Sequence, residues 1–241
     1  MGYFKDFPQT AYSFGSNEAP VAFTSMNIYV DIVDQIKDEI STYRYFYIQE
    51  GDRPDSIAHR LYEDQSFYWT FFLMNESLRE SGWPLSEARL VQKTKSDHPD
   101  YVISTKSSLN GVFKVGQTVR GSSSGQTGVI TFRNLDLGQL FLSGVTGNFL
   151  SSEVVTSQVG NDVQSATLHS AVSEINSIDH FVDANQRRAD INPYEDAPAI
   201  LTPVTKLEKY RARNNDLKRI RVLTPDVVSQ IASRFQEELR T

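Results

Sequence analysis

The 241-residue chain contains no cysteine, which excludes disulfide bonds, thiolate nucleophiles and cysteine-ligated zinc. Histidine is scarce too. The four histidines show no ligand spacing such as HExxH, and we interpret them as solvated surface side chains: His59, His98, His169 and His180. No stretch approaches the roughly 20 apolar residues that a helical membrane span needs. The opening MGYFKDFPQT also lacks the apolar centre of a signal peptide.

Motifs that would carry catalysis are missing as well. The stretch from Gly121 to Gly128 reads GSSSGQTG and lacks the Gly-Lys-Ser/Thr of a phosphate loop, so we interpret it as a hairpin turn. No GxSxG nucleophile elbow is present. Carboxylates are abundant, but nothing in their spacing selects an acid–base pair. We therefore predict that the protein is not an enzyme, with no catalytic residue, metal site or cofactor.

The formal net charge of −6 disfavours nucleic acid and anionic membranes as partners, and we predict neither. Although the net charge is negative, one cluster near the C-terminus is rich in basic residues: Lys206, Lys209, Arg211, Arg213, Lys218, Arg219 and Arg221. Glu208 and Asp216 interrupt it. We interpret it as a solvated or partner-facing charged surface.

What the chain has in abundance is aromatic surface, concentrated between Tyr43 and Asn75. This stretch begins YRYFYIQEGDRP, in which tyrosines alternate with other side chains as on a strand, and a Gly-Asp turn follows. Pro54 and Asp55 suit the first turn of a short helix that ends at Tyr62. A second helix is predicted from about Gln65 to Asn75, and it is apolar almost all round, so it must be buried on most sides.

The regions on either side of this stretch also carry patterns. Residues 1–25 are typical of an extended arm, and isoleucines at every fourth position predict a helix from Asn27 to Ile40. Near the C-terminus, Leu217–Leu223 is typical of a strand, with Ile220 and Val222 on one face. Thr224 and Pro225 then begin a last helix. We predict that the Leu217–Leu223 strand pairs antiparallel with Tyr43–Ile48.

The middle of the chain differs in composition. From about residue 90 to residue 175 it is rich in Ser, Thr, Gly and Val, with little helical periodicity. Alternating segments such as Val112–Val119 and Val129–Phe132 predict a small all-β module, a barrel or sandwich of five to seven strands. Three prolines between Asp190 and Pro203 indicate an extended linker, and a short helix is predicted from Thr205 to Asn215.

The strand, Gly-Asp turn, short helix and aromatic second helix together resemble a LysM-like unit. The run from the tyrosine strand through YWTFFLMNE to SGWPLSE is more specifically similar to the baseplate wedge protein of contractile-tailed phages (myoviruses). This resemblance extends back through Phe14-Gly15-Ser16 and Pro20-Val21-Ala22-Phe23, covers about residues 10–87, and returns weakly in Leu217–Arg240.

The resemblance implies a virion structural protein of the tail baseplate, assembled in the host cytoplasm. Such a protein binds other wedge components and helps join neighbouring wedges into the ring around the tail tube, in six copies or a multiple of six. The expected fold is α+β: a LysM-like strand-helix-helix-strand unit with flanking helices and an inserted small all-β module. We place the arm at 1–25, the docking domain at 26–89 and 204–241, the β module at 90–190 and the linker at 191–203.

The aromatic side chains exceed what two short helices and two strands can cover, and aromatic and arginine side chains are the usual anchors of protein interfaces. We predict that these residues contact partners: Arg44, Tyr45, Tyr47, Tyr68, Trp69, Phe72, Trp83, Arg219 and Arg221. The alternative function is a LysM-type module that binds peptidoglycan or chitin, although a single copy lacks the avidity of repeats. A cell-wall hydrolase is a third possibility, disfavoured because no catalytic constellation can be named.

Overall fold

The computed structural model describes residues 9–13, 19–24, 43–192, 194–195, 198 and 200–238. Contacts divide the chain into two compact units, residues 1–86 with 214–241, and residues 87–213. The mixture of helices and strands confirms the α+β class. The predicted helix from Asn27 to Ile40 and much of the N-terminal arm lie outside the described residues. The domain boundaries derived from the sequence stay a prediction.

The elements follow one another along the chain. The strands are β1 (Gln9–Tyr12), β2 (Val21–Thr24), β3 (Tyr43–Tyr47), β4 (Tyr101–Thr105), β5 (Thr118–Gly121), β6 (Thr127–Asn134), β7 (Gln139–Ser143), β8 (Val154–Val159), β9 (Asp162–Ser173), β10 (Ile178–Val182), β11 (Arg188–Ala189), β12 (Thr202–Thr205) and β13 (Arg219–Leu223). The α-helices are α1 (Pro54–Tyr62), α2 (Trp69–Met74), α3 (Glu76–Ser81), α4 (Glu87–Asp97), α5 (Lys206–Asp216) and α6 (Pro225–Glu238). Two 3₁₀ turns occupy Gln65–Tyr68 and Glu174–Asn176.

The first unit is closed by a strand from each end of the sequence. β3 and β13 pair antiparallel, with Tyr47 opposite Arg219 and Tyr43 opposite Leu223, so the predicted pairing is confirmed. Ile220 and Val222 of β13 are fully buried, while the arginines that alternate with them are exposed, also as predicted. Separately, β1 and β2 of the arm form an antiparallel pair.

The core of the first unit lies between this sheet and the helices. Its buried members are Ile48, Ile57, Ala58, Phe71, Leu78, Ile220 and Val222. Trp83 packs at the edge, with its ring centroid 6.2 Å from Phe71 and 6.1 Å from Phe72. Its indole N–H donates to the carbonyl of Asp52 at 2.8 Å, which fixes the tryptophan against the Gly-Asp turn.

The predicted helix from Gln65 to Asn75 is wrong in one respect, because the segment is broken. A 3₁₀ turn comes first, begun by the Asp64 side chain accepting from the amide of Ser66, and α2 follows. Asn75 then takes an extended conformation and α3 begins directly after it. The break allows the Asn75 side chain to reach β13, where its amide group bonds both the N–H and the C=O of Arg221 at 2.8 Å.

The point at which the chain leaves and re-enters the first unit is held by two hydrogen bonds. The Asn214 side chain accepts from the amide of Leu85 at 2.8 Å and donates to its carbonyl at 2.9 Å. Asn214 is buried. The long excursion between β3 and β13 is thus fixed at its base within the first unit.

The second unit contains a closed six-stranded barrel in the order β4-β7-β6-β5-β8-β9. This confirms the prediction of a barrel or sandwich of five to seven strands. Its core holds large apolar side chains from every strand and from the loops between them: Ile103, Leu109, Phe113, Val119, Ile130, Leu140, Leu142, Phe149, Val155, Ala166 and Leu168.

Three details of the second unit differ from the sequence predictions. Residues 90–97 belong to helix α4, which has only Leu90 and Thr94 buried, so its periodicity is weak. Within Val112–Val119 only the last two residues are in a strand, because positive φ angles at Phe113 and Gly116 turn the chain. The linker ends in β12, whose pairing with β10 places Pro203 in an edge strand, where a missing N–H is tolerated.

The Gly121–Gly128 hairpin turn, confirmed between β5 and β6, is organised by one carboxylate. Glu153 is buried and accepts from the amides of Ser123, Ser124 and Leu150 at 2.6–3.0 Å. Burial opposes ionisation, but these bonds outweigh it and hold the pKa of Glu153 below its usual value. A Cβ at Gly121 would lie 2.6 Å from this carboxylate, so any larger residue there would have to displace it.

Replacing Asn75 tests the link between α2 and β13. Asn75→Ala removes three hydrogen bonds and leaves the main-chain groups of Arg221 unsatisfied next to a buried core. We expect the free energy of unfolding to fall by about 1–3 kcal/mol in urea titrations followed by circular dichroism. The control is Asn215→Ala, which removes an exposed asparagine side chain. It should change the free energy of unfolding by less than about 0.5 kcal/mol. Equal effects of the two variants would contradict this role.

Candidate functional site

The outer surface of the two-stranded sheet carries exposed aromatic and basic side chains. We name it the Tyr–Arg face, and its members are Tyr43, Tyr45, Tyr47, Arg219 and Arg221. Tyr45 is 53% exposed and Tyr47 is 56% exposed, although both lie on a regular strand of a folded unit. They are exposed because strand residues alternate between faces, and the opposite face of the sheet packs on the core through Ile220 and Val222.

The arginines of β13 lean over the tyrosines of β3. The guanidinium carbon of Arg219 lies 4.1 Å from the ring centroid of Tyr45, and that of Arg221 lies 5.0 Å from Tyr43. These are cation–π distances, worth about 0.5–1 kcal/mol at an exposed site. Two flexible side chains are thereby held in place before any partner arrives.

The tyrosines also contact one another. The rings of Tyr43 and Tyr45 meet edge to face, with centroids 5.7 Å apart. A hydrogen bond from Tyr43 lowers the pKa of Tyr45 below 10, and the neighbouring Arg221 lowers it further. The face is therefore a connected array of rings and guanidinium groups.

The two edges of the sheet are not equivalent. In antiparallel pairs, alternate residues direct their main-chain groups toward the partner strand. The amide of Ile48 donates to the carbonyl of Lys218 in β13. By alternation, the main-chain N–H and C=O groups of Arg44 and Phe46 also point toward β13, while those of Tyr43 and Tyr45 point outward. Within the part of the chain that the structure describes, these outward groups have no hydrogen-bond partner.

The edge of β13, in contrast, is occupied at Arg221 and Leu223. The Asn75 side chain pairs with Arg221, and the hydroxyl of Tyr62 donates to the carbonyl of Leu223 at 3.2 Å. Burial raises the pKa of Tyr62 to about 12, which keeps this hydroxyl protonated as a donor. Among the described residues, the edge of β3 is therefore the more open of the two.

The structure brings together four of the nine predicted contact residues: Tyr45, Tyr47, Arg219 and Arg221. Arg44 is exposed but lies on the opposite side of β3, because it pairs with the buried Val222. The remaining four are on or after the aromatic helix: Tyr68, Trp69, Phe72 and Trp83. Tyr68 is exposed, whereas the other three are half-buried, and Phe72 and Trp83 pack against each other. Tyr43 joins the face although the sequence prediction omitted it.

A second polar cluster lies within the second unit. The imidazole of His98 bonds Glu174 at 2.9 Å and the hydroxyl of Tyr210 at 3.1 Å, and the ammonium of Lys206 contacts the same Glu174 oxygen at 2.5 Å. Lys206 also sits over the ring of Phe141. The interpretation of His98 as a solvated histidine is wrong, since its partners are brought together only by the fold.

His180 corrects the same interpretation, because it is half-buried and bonded to Asp179 at 2.9 Å. His59 and His169 are exposed, as predicted. Both clusters consist of groups that satisfy one another. Among the described residues, no group of three or more His, Cys, Asp or Glu side chains is arranged to hold a metal ion. The helices of these described residues also include none with the length and hydrophobicity of a membrane span.

Residues 3–93 match the family described as Base plate wedge protein 53, which confirms the resemblance to baseplate wedge proteins. The match supports a structural role in the phage tail baseplate, in association with other baseplate proteins. It includes the tyrosines of the Tyr–Arg face, while the arginines of β13 lie beyond it. No curated protein matches this chain. The likeness to LysM units stays a prediction.

The His98 cluster predicts a pH dependence of stability. Burial opposes the charge of Glu174, but the Lys206 ammonium and the bond to His98 outweigh it, so its pKa lies below 4.5. A depressed folded-state pKa stabilises the fold above the unfolded-state pKa, and this contribution is lost as the pH falls through the folded value. In thermal melts, Glu174→Gln should have a lower Tm than wild type at pH 7. When the pH falls below 4.5, the Tm of the variant should decrease less than that of wild type. A variant that melts like wild type at every pH would contradict this.

Proposed function

We propose that this chain, whose residues 3–93 carry the baseplate wedge match, docks other wedge proteins through the Tyr–Arg face and helps join neighbouring wedges around the tail tube. The observation that supports the proposal most is the exposure of three tyrosines and two arginines on one side of a two-stranded sheet. Tyrosine and arginine are enriched among the residues that dominate binding energy at protein interfaces.

The rigidity of the face also favours docking. Its arginines already rest on tyrosine rings, so less side-chain entropy is lost when a partner binds them. The rings are carried on a sheet whose other face holds the buried Ile220 and Val222 of β13. A preorganised surface of this kind converts more of its contact energy into affinity.

The Tyr–Arg face is assembled from both ends of the sequence. The tyrosines of β3 lie within the residues that match the family, and the arginines lie on the C-terminal strand β13. Neither part makes the face alone. The protein would act as a scaffold without chemistry of its own, assembled in the host cytoplasm into the virion baseplate in six copies or a multiple of six.

Truncating the central tyrosines tests this proposal. The chain is co-expressed with the baseplate proteins encoded beside it, as wild type, Tyr45→Ala and Tyr47→Ala. We expect wild type to co-elute with at least one of them and each variant to bind about 10- to 100-fold more weakly, because interface anchors contribute about 2 kcal/mol or more. Isothermal titration calorimetry of the purified partner measures the loss.

The control variant is Phe132→Ala, which removes an equally exposed aromatic ring from the outside of the barrel. It should bind like wild type, and circular dichroism should show all variants folded. Unchanged binding by both tyrosine variants would refute docking through this face. Pelleting of the wild type with purified peptidoglycan, without binding any baseplate protein, would instead favour the LysM-type alternative.

A further inference from the structure

The arginines of the Tyr–Arg face differ from three other cations of the C-terminal basic cluster, which form ion pairs. Lys206 pairs with Glu174 at 2.5 Å, Lys209 pairs with Asp179 at 2.8 Å, and Arg211 pairs with Glu87 at 2.5 Å.

Arg219 and Arg221 have no ion pair among the described residues, although the protein as a whole is acidic. Their positive charge is therefore available to a carboxylate from outside. Such a charge-assisted bond is stronger than a neutral one.

The spacing of these arginines sets the spacing of their ligand. They are two residues apart on one strand, so their α-carbons are separated by about 7 Å along its axis. An extended segment with acidic residues at every second position repeats at the same distance. Because each guanidinium leans over a β3 tyrosine, the charges extend toward the β3 side of the sheet.

The open edge of β3 supplies main-chain hydrogen bonds for the same segment. The outward N–H and C=O groups of Tyr43 and Tyr45 have no described partner, while on the β13 edge Asn75 bonds the main chain of Arg221 and Tyr62 bonds the carbonyl of Leu223. An exposed edge of this kind is a template for an added strand. Main-chain pairing, the ring surface and the charges thus select the same kind of ligand.

We infer that the Tyr–Arg face receives an extended acidic segment of a partner protein, which adds as a third strand at the β3 edge. Its alternate carboxylates meet Arg219 and Arg221. This inference rests on the proposed docking function and specifies the chemistry of the partner. A nucleic acid would meet the arginines but could not complete the strand edge.

The first experiment measures how the charges of Arg219 and Arg221 contribute to binding. Wild type, the double variant Arg219→Gln with Arg221→Gln, and the control Arg120→Gln are titrated against the baseplate protein that co-purifies with the chain. Arg120 is an exposed strand arginine of the barrel with no described ion pair, so Arg120→Gln repeats one of the two charge losses of the double variant. We expect at least about a 10-fold loss of affinity in the double variant and none in the control. Wild-type binding should weaken as salt rises.

The second experiment needs no variant. The 241-residue chain, labelled with ¹⁵N, is titrated with a short synthetic peptide in which glutamate alternates with threonine. The control peptides are one of the same composition with its glutamates in one block, and one in which glutamine replaces glutamate. A single-stranded oligonucleotide is the nucleic-acid probe. The alternating peptide should bind best and shift the amide signals of Tyr43 and Tyr45.

The outcomes separate this inference from the proposed function. If the wild type binds its baseplate partner and the double variant binds equally well, the acidic segment is refuted while docking stands. If the wild type binds no baseplate protein, the proposed function fails first. Equal binding of the alternating and glutamine peptides, or preference for the oligonucleotide, would overturn the inference.

Discussion

The structure of the first unit depends on the antiparallel pairing of β3 with β13, two strands from opposite ends of the sequence. Closing so long a loop costs about 5 kcal/mol of chain entropy. Burial of Ile220 and Val222 contributes about 1.5–3 kcal/mol each, and Asn75 adds hydrogen bonds to Arg221. The Leu85–Asn214 bonds hold the base of the excursion within the same unit. The pairing is therefore supported by several independent contacts.

The same pairing generates the surface. With one face of the sheet buried, alternation obliges Tyr43, Tyr45 and Tyr47 to face outward beside Arg219 and Arg221. Asn75 and Tyr62 bond main-chain groups on the β13 edge, whereas the outward groups of Tyr43 and Tyr45 have no partner among the described residues. The buried contacts of β13 thus determine which face of the sheet is exposed. The helix break at Asn75 and the half-buried Tyr62 determine which edge can receive a partner. The aromatic side chains of α2 serve this arrangement from within, as the core that supports the sheet.

Much of the fold could be predicted from the sequence because the signals for its strands, helix starts and turns are local. Alternation in β3 and β13, Pro54 and Pro225 at helix starts, and the glycine-rich turn all act within a few residues. The pairing of β3 with β13 followed from the need of the first strand for a partner. The break at Asn75 could not be predicted, because its cause is a bond to Arg221 across 146 residues. The His98 cluster was missed for the same reason, and α4 because its buried stripe is only two residues wide.

Amide hydrogen exchange along β3 in the isolated 241-residue chain reports on the pairing of β3 with β13. If β13 closes the unit as described, the amides of Arg44, Phe46 and Ile48 point toward it and exchange slowly. Those of Tyr43 and Tyr45 point to the open edge and exchange fast. Uniformly fast exchange through β3 would mean that the C-terminal strand does not close the unit. Uniformly slow exchange would mean that the β3 edge is already filled and that no partner strand is needed there.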